Sequence, residues 1–140
     1  MVAELKGDRG PLGLVVTGEA ELWTAALEKI VGPQWLKTYD VGSDRELLDV
    51  VASGQADAAV LDDSAEWSVD VLGLLRMIRR LNAVLPVVVV TMHRDRRYLE
   101  HALRLAAFSV VVRPLELEAL LRQIQRIMFR LDAVLRRREL

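Results

Sequence analysis

Short runs of apolar, β-branched residues recur along the chain and are typical of strands buried in a parallel sheet. The clearest run covers residues 86–91 (PVVVVT), which is hydrophobic at four successive positions and therefore suits a strand covered on both faces. Residues 12–17, 58–61 and 108–112 form similar runs, and residues 35–41 alternate as an outer strand does. The pattern therefore predicts five strands.

The segments between these strands have features of helices. Residues 19–31 carry apolar side chains at helical spacing, and Ser43 with Glu46 has the spacing of a capping box that begins a helix ending near Ala52. Further helices are predicted over residues 71–81 and 95–106. Strands joined through helices run parallel, with helices on both faces of the sheet. We therefore expect an α/β fold, a doubly wound five-stranded parallel sheet of flavodoxin-like order.

The last helical pattern begins at residue 115 and continues to the C-terminus. Its apolar positions follow heptad spacing: Leu117, Leu121, Ile124, Met128, Leu131 and Leu135. The sheet should need no cover beyond Met128, so Leu131, Val134 and Leu135 require either a second subunit or the chain folding back. We expect the interface of a homodimer there. The predicted divisions are a tail at 1–11, a domain at 12–128 and a helical extension at 129–140.

The composition restricts the chemistry of the chain. It has 140 residues, of which 52% are hydrophobic, and no cysteine, so disulfides, thiolate metal sites and a cysteine nucleophile are excluded. No apolar run reaches membrane-spanning length and the first ten residues do not form a signal peptide, so we expect a cytoplasmic location and no membrane contact. There is no phosphate-binding glycine loop, no nucleophile elbow and no sequence-adjacent ligand for either histidine.

Charge is unevenly distributed along the chain. Residues 1–70 contain five basic and fourteen acidic residues, a net charge of −9, whereas residues 71–140 contain fourteen and six, a net charge of +8. Such an imbalance is ordinarily explained by solvated helix faces. The functional interpretation is a basic face that binds an acidic partner or nucleic acid. Aromatic residues do not interleave the arginines as they would on a platform for single-stranded nucleic acid, so we expect no nucleic-acid contact by this domain.

Four segments at the predicted strand ends resemble the receiver domain of bacterial response regulators. They are LVVTGEAEL (residues 14–22), DAAVLDD (57–63), LGLLRMIRRLNAVLPVVVVT (72–91) and ALRLAAFSVVVRPLELEALL (102–121). The resemblance covers residues 12–128 and implies a place in two-component signal transduction, phosphorelay or transcription regulation. It also implies a phosphoacceptor aspartate after the third strand, a switch hydroxyl at Thr91 and a phosphoryl-contacting cation at Arg113.

The chain departs from that family at the positions that hold Mg²⁺. The acidic pair after the first strand is replaced by Thr17 and Gly18, and glycine offers no side-chain ligand to an ion that prefers carboxylate oxygens. The family's lysine is Arg113, and its aromatic switch position is Val110. We therefore expect no metal site and no cofactor, and contact between Arg113 and an aspartate in place of a phosphorylated state. The resemblance suggests a cis bond before Pro114.

Two adjacent aspartates could occupy the phosphoacceptor position. Reading from the strand, with Asp57 five positions upstream, indicates Asp62, which we favour, whereas counting back from the next helix indicates Asp63. Either aspartate could instead only cap backbone N–H groups, and Thr91 could be only a strand-end threonine.

The resemblance and the departures together predict an atypical receiver, or pseudo-receiver. It is expected to act without enzymatic activity, by phosphorylation-independent protein–protein interaction. The alternative is a phosphoryl-accepting receiver in a phosphorelay, with Glu19 and an aspartate forming a remodelled metal site. Expected partners are a second copy of the chain and, as the family implies, a signalling protein or histidine kinase.

Overall fold

The structure, a computed structural model, describes residues 11–139, with side chains described as far as Asp132. Five strands form one sheet in the order β2-β1-β3-β4-β5, and all four neighbouring pairs are parallel. The strands are β1 (Leu12–Val16), β2 (Leu36–Asp40), β3 (Ala58–Asp62), β4 (Val87–Thr91) and β5 (Ser109–Val112). The predicted five-stranded parallel sheet of flavodoxin-like order is confirmed.

Five α-helices connect and cover the strands. They are α1 (Thr24–Val31), α2 (Asp44–Ala52), α3 (Val71–Leu81), α4 (Arg96–Arg104) and α5 (Leu117–Glu139). The predicted capping of α2 is present, because the Glu46 amide donates to the Ser43 hydroxyl over 3.1 Å. Asp70 and Asp95 cap α3 and α4 in the same way.

The helix predicted over residues 19–31 is divided in the structure. Its first part is a 3-10 helix, Gly18–Trp23, and only the second part is the α-helix α1. Thr17 precedes the 3-10 helix but gives no side-chain cap, because its hydroxyl donates to the Val60 carbonyl and accepts from the Asp62 amide. The side chain that could begin the helix is thus used to join β1 to β3.

The hydrophobic core lies in two layers, one on each face of the sheet. Val87 and Val89 of β4 face the layer formed with α2, α3 and α4, whereas Val88 and Val90 face the layer formed with α1 and α5. All four valines are buried, which explains the unbroken apolar run that predicted a central strand.

The face of α5 that is buried differs slightly from the predicted stripe. Its fully buried residues are Leu120, Ile124 and Ile127, while Met128 and Leu131 are partly buried against the same core layer. The core therefore continues one turn further along α5 than we predicted, and Leu131 has a partner within the domain. The side chains of Val134 and Leu135 lie outside the described residues.

The charge imbalance of the sequence divides the sheet from side to side. The acidic first half of the chain supplies β2, β1 and β3, and the basic second half supplies β4 and β5. Within residues 11–139, no helix is long and apolar enough to cross a membrane.

Candidate functional site

The carboxyl ends of four parallel strands bring the predicted site residues together at one edge of the sheet. The residues at these ends are Thr17 and Gly18 after β1, Asp62 and Asp63 at β3, Thr91 at β4 and Arg113 after β5. Parallel strands that run in register place their ends side by side, which is why residues far apart in sequence meet here.

The carboxylate of Asp63 is the centre of this site. One oxygen, Oδ2, accepts a hydrogen bond from the Thr91 hydroxyl at 2.6 Å and another from the Met92 amide at 2.9 Å. The other oxygen, Oδ1, accepts from Nη2 of Arg113 at 2.7 Å. Both oxygens of Asp63 therefore already have donors from the chain itself.

Arg113 is held between three carboxylates. Besides Asp63, its Nη1 lies 3.3 Å from Glu19 Oε2 and its Nε lies 3.7 Å from Asp62 Oδ1. Only 15% of its side chain is exposed. Burial opposes the charge on Arg113, but the charges of Asp63, Asp62 and Glu19 outweigh it, so the pKa of the guanidinium is raised.

The backbone also fixes the position of Arg113. Its amide donates to the Thr91 carbonyl over 2.8 Å, and the following bond to Pro114 is cis. The predicted contact between Arg113 and an aspartate is present, as is the cis bond.

Asp62 has a different environment from Asp63 although the two are adjacent. Its side chain is fully buried, and Oδ1 accepts from the Ser64 amide at 2.9 Å, while Oδ2 has no hydrogen-bond partner within the described residues. Burial raises the pKa of Asp62, against the lowering effects of Ser64 and Arg113. Asp63 retains 18% exposure of its side chain, so it is the more accessible of the two carboxylates.

Gly18 stands at a position where the family has a metal-binding carboxylate, and the surrounding atoms leave no room for a side chain there. Its φ of +63° is a left-handed conformation that glycine adopts without strain. A Cβ atom there would collide with Ser64 Oγ and lie 2.9 Å from Asp62 Cβ. The Ser64 hydroxyl also accepts a hydrogen bond from the Glu19 amide at 2.8 Å, so Ser64 joins this turn to the loop after β3.

Two contributors to the site were not singled out from the sequence. Ser64 lies in a polar loop, and nothing in its sequence context distinguishes it from other loop serines. Tyr98 of α4 packs on the core. Burial raises the pKa of Tyr98, and the neighbouring Thr91 hydroxyl partly offsets that shift. The sequence did place Tyr98 near the start of the helix that follows Thr91, and this position was the available indication that Tyr98 lies near the site.

Val110, which stands at the family's aromatic switch position, and two loop residues have simpler surroundings. Val110 and Trp67 are partly buried and pack against the core. Met92 contributes its amide to Asp63, while 62% of its surface is exposed, so its side chain does not fill the site. Among the residues that the structure describes, no three histidine, aspartate or glutamate side chains form a group suited to a metal ion.

Comparison with known proteins identifies the class of this domain. The response regulator receiver domain family matches residues 15–125, and the chain belongs to that family. It is therefore a receiver domain of two-component signalling. A search of curated proteins finds no significant match.

Solved structures with this fold share little sequence with the chain. A CheY-like receiver domain protein from Methanospirillum hungatei is 13% identical, with a TM-score of 0.73, covering 88% of this chain and 98% of that one. A two-component response regulator from Clostridium difficile is 17% identical, with a TM-score of 0.72 and coverage of 86% and 98%. The receiver domain of NtrX from Brucella abortus is 22% identical, with a TM-score of 0.68 and coverage of 83% and 97%. At these identities the similarity concerns the fold.

Proposed function

We propose that this receiver domain acts in the cytoplasm by protein–protein interaction without being phosphorylated. The observation that carries the proposal is the engagement of both oxygens of Asp63, which accept hydrogen bonds from Thr91, the Met92 amide and Arg113. An attacking carboxylate needs a free lone pair aimed at the phosphorus atom. Three of the roughly four lone pairs of this carboxylate are engaged, so phosphorylation would compete with the network.

The surroundings of Gly18 support the same proposal. Mg²⁺ in proteins is bound through carboxylates and retains much of its water, so the loss of a ligand and of its charge weakens binding. Here the ligand is missing and the space that its Cβ would need is taken by Ser64. Arg113 instead supplies positive charge beside both aspartates.

A phosphoryl-transfer assay tests the proposal directly. The protein is incubated with acetyl phosphate and MgCl₂, and its intact mass is measured alongside a receiver that retains the acidic pair as a positive control. We expect no mass increase corresponding to a phosphoryl group. A stoichiometric increase that is abolished by Asp63→Asn would refute the proposal.

The second candidate function is phosphoryl acceptance at Asp63. It is favoured by one observation: the switch hydroxyl of Thr91 and the cation of Arg113 both contact this carboxylate, as a phosphoryl site requires. These contacts support Asp63 rather than Asp62, which we favoured from the sequence. In the mass assay, modification that survives Asp62→Asn and is lost in Asp63→Asn would support this candidate.

We further propose a homodimer that includes the end of α5. The heptad stripe continues to Val134 and Leu135, and each such side chain gains roughly 1.5–3 kcal/mol if fully buried. Leu131 already packs on the core, so its substitution would damage folding and is unsuitable as a test.

Light scattering on Val134→Asp/Leu135→Asp distinguishes the states. We expect a dimer for the unmodified protein, with or without a phosphoryl donor, and a monomer for the double variant. Arg45→Asp, at an exposed position of α2, is the matched control and should remain dimeric. A monomeric unmodified protein at tens of micromolar would contradict the proposal.

A further inference from the structure

A second polar and aromatic surface lies at the opposite end of the sheet from Asp63. Phe108 immediately precedes β5, and its amide donates to the Val87 carbonyl where β4 begins. Along β5, Phe108 and Arg113 are five residues apart, roughly 16 Å in an extended strand. The surface consists of Phe108 with four residues of α5, and we call it the arginine–phenylalanine surface: Phe108, Arg122, Arg126, Phe129 and Arg130.

Two of the three arginines of this surface lie over an aromatic ring. The guanidinium carbons of Arg126 and Arg130 lie 5.5 and 5.6 Å from the centre of the Phe108 ring. A guanidinium held near a ring still has N–H groups available at its edge, which match a carboxylate bidentately. These two side chains are therefore partly preorganised to bind an anion, which reduces the entropy lost on binding.

No acidic partner within the described part of the chain uses these charges. Arg122, Arg126 and Arg130 are exposed, and none forms an ion pair with any of the side chains that the structure describes, which extend from residue 11 to residue 132. Arg79, close by, is different, because its guanidinium donates to the carbonyls of Leu105, Ala106 and Asn82 and fixes the turn before β5. Among the described side chains, Arg122, Arg126 and Arg130 make no hydrogen bonds of this kind.

The same surface exposes an apolar side chain beside a depression. Phe129 is 76% exposed, and an open depression of about 530 Å³ is lined by the five residues of the surface together with Gln125. No acidic residue lines it. An exposed aromatic residue next to unpaired arginines matches the composition found at the centre of protein interfaces.

We propose that the arginine–phenylalanine surface binds an acidic segment of a partner protein. Carboxylates of the segment bind the three guanidiniums, and one of its apolar side chains packs beside Phe129. A short acidic segment responds to local charge, because salt screens charges beyond about 8 Å. A long nucleic acid would also meet the acidic half of the molecule, and the net charge of the whole chain is −1.

The binding test uses a defined probe. It is a fluorescein-labelled dodecapeptide of three Asp-Glu-Leu-Phe repeats, and fluorescence anisotropy measures its binding to the full chain. Peptides in which lysine replaces the acids, or serine replaces Leu and Phe, are the controls. We expect the acidic apolar peptide to bind at least about tenfold more tightly than either control, with affinity that falls as salt is added.

Substitutions then localise the binding. Arg126→Glu/Arg130→Glu and, separately, Phe129→Ser should each weaken binding at least about tenfold. Arg97→Glu introduces the same kind of charge change at an exposed position of α4 and should leave affinity within about twofold after allowance for net charge. Backbone amide shifts on peptide addition should concentrate at residues 108 and 122–130.

Several outcomes would overturn the proposal. The first is that the peptide does not bind at concentrations up to about 1 mM. The second is that Arg97→Glu weakens peptide binding as much as Arg126→Glu/Arg130→Glu does. The third is that the amide shifts concentrate outside residues 108 and 122–130. Tighter binding of a twelve-nucleotide oligothymidylate would assign the surface to nucleic acid instead. Self-association that is abolished by Phe129→Ser would assign it to a second copy of the chain.

Discussion

Arginines at the two ends of the sheet are used in opposite ways. At the carboxyl end, Arg113 is nearly buried and lies within 4 Å of three carboxylates, so its charge is satisfied inside the molecule. At the amino end, Arg126 and Arg130 are exposed, lie near an aromatic ring and have no acidic partner among the described residues. At the carboxyl end, carboxylates of the domain itself neutralise the arginine, whereas at the amino end the arginines are exposed to solvent.

This difference bears on the proposal that the domain acts without being phosphorylated. A receiver normally keeps its carboxyl end incomplete, so that a metal ion and a phosphoryl group complete it from outside. Here Arg113 is bound directly to Asp63, and Ser64 fills the space beside Gly18. If the two ends differ in this way, substitutions at the carboxyl end should affect folding, and substitutions at the amino end should affect binding.

Arg113→Ala should have the largest effect on stability. It leaves Asp63 and the buried Asp62 close together without a cation, and removing one partner of a buried ion pair costs about 3–5 kcal/mol. Urea unfolding at neutral pH measures the loss, with Arg113→Lys as the charge-preserving control. Burial raises the pKa of Asp62, and protonation of Asp62 relieves the repulsion between the two carboxylates, so the loss should shrink in acid. A loss below about 1 kcal/mol would show that the carboxyl end is not held by this pair.

Gly18→Ala should have the next largest effect. The side chain would be added at a φ of +63°, where it also collides with Ser64, and the expected cost is about 1–3 kcal/mol. Ser64→Gly removes one of the colliding atoms, so it should recover part of the loss when the two changes are combined. Additive effects in this double-mutant cycle would mean that the turn and the loop after β3 are not in contact in solution.

Arg126→Ala/Arg130→Ala should affect folding less than either change at the carboxyl end. Each arginine loses a cation–π contact worth about 0.5–1 kcal/mol at an exposed site. Phe129→Ser, at a largely exposed position, should change the free energy of unfolding by less than about 0.5 kcal/mol. Urea unfolding tests both variants, and a loss as large as that of Arg113→Ala would remove the distinction between the two ends.

Asp62→Asn should have the smallest effect, and it is visible as a pH dependence. The pKa of Asp62 is raised by burial, so between its ordinary and its raised pKa the folded state binds more protons than the unfolded state. Stability due to this group therefore falls as pH rises through that window. Asparagine does not ionise, so the stability of the variant relative to the unmodified protein should increase over the same interval. A stability difference between the two proteins that stays constant with pH would contradict this prediction.

The sequence predicted the sheet well because burial on both faces leaves a direct mark on composition. The valines of β4 form one unbroken apolar run, and each is buried against one core layer or the other. The helix boundaries set by Ser43, Asp70 and Asp95 follow equally local rules of capping. Local signals of this kind can be read without knowing what lies across the fold.

The site was predicted less completely because its decisive contacts join distant parts of the chain. Choosing between Asp62 and Asp63 depends on which carboxylate meets Thr91 and Arg113, and no pattern within β3 contains that information. The role of Ser64 depends on its contact with the turn at Gly18, 46 residues earlier in the sequence. Phe129 lies outside the heptad stripe, and its exposure follows from the face of α5 that packs on the sheet.

The division of charge across the sheet makes the domain an electric dipole that is close to neutral overall. The negative side contains β2 and the positive side contains β5, so an external electric field pulls the two sides in opposite directions. The resulting torque rotates the molecule. At low ionic strength, such a molecule should be retarded on both anion and cation exchangers despite its net charge of −1. An approaching charged partner would accordingly meet a domain already oriented for the encounter, with its positive flank towards an acidic molecule.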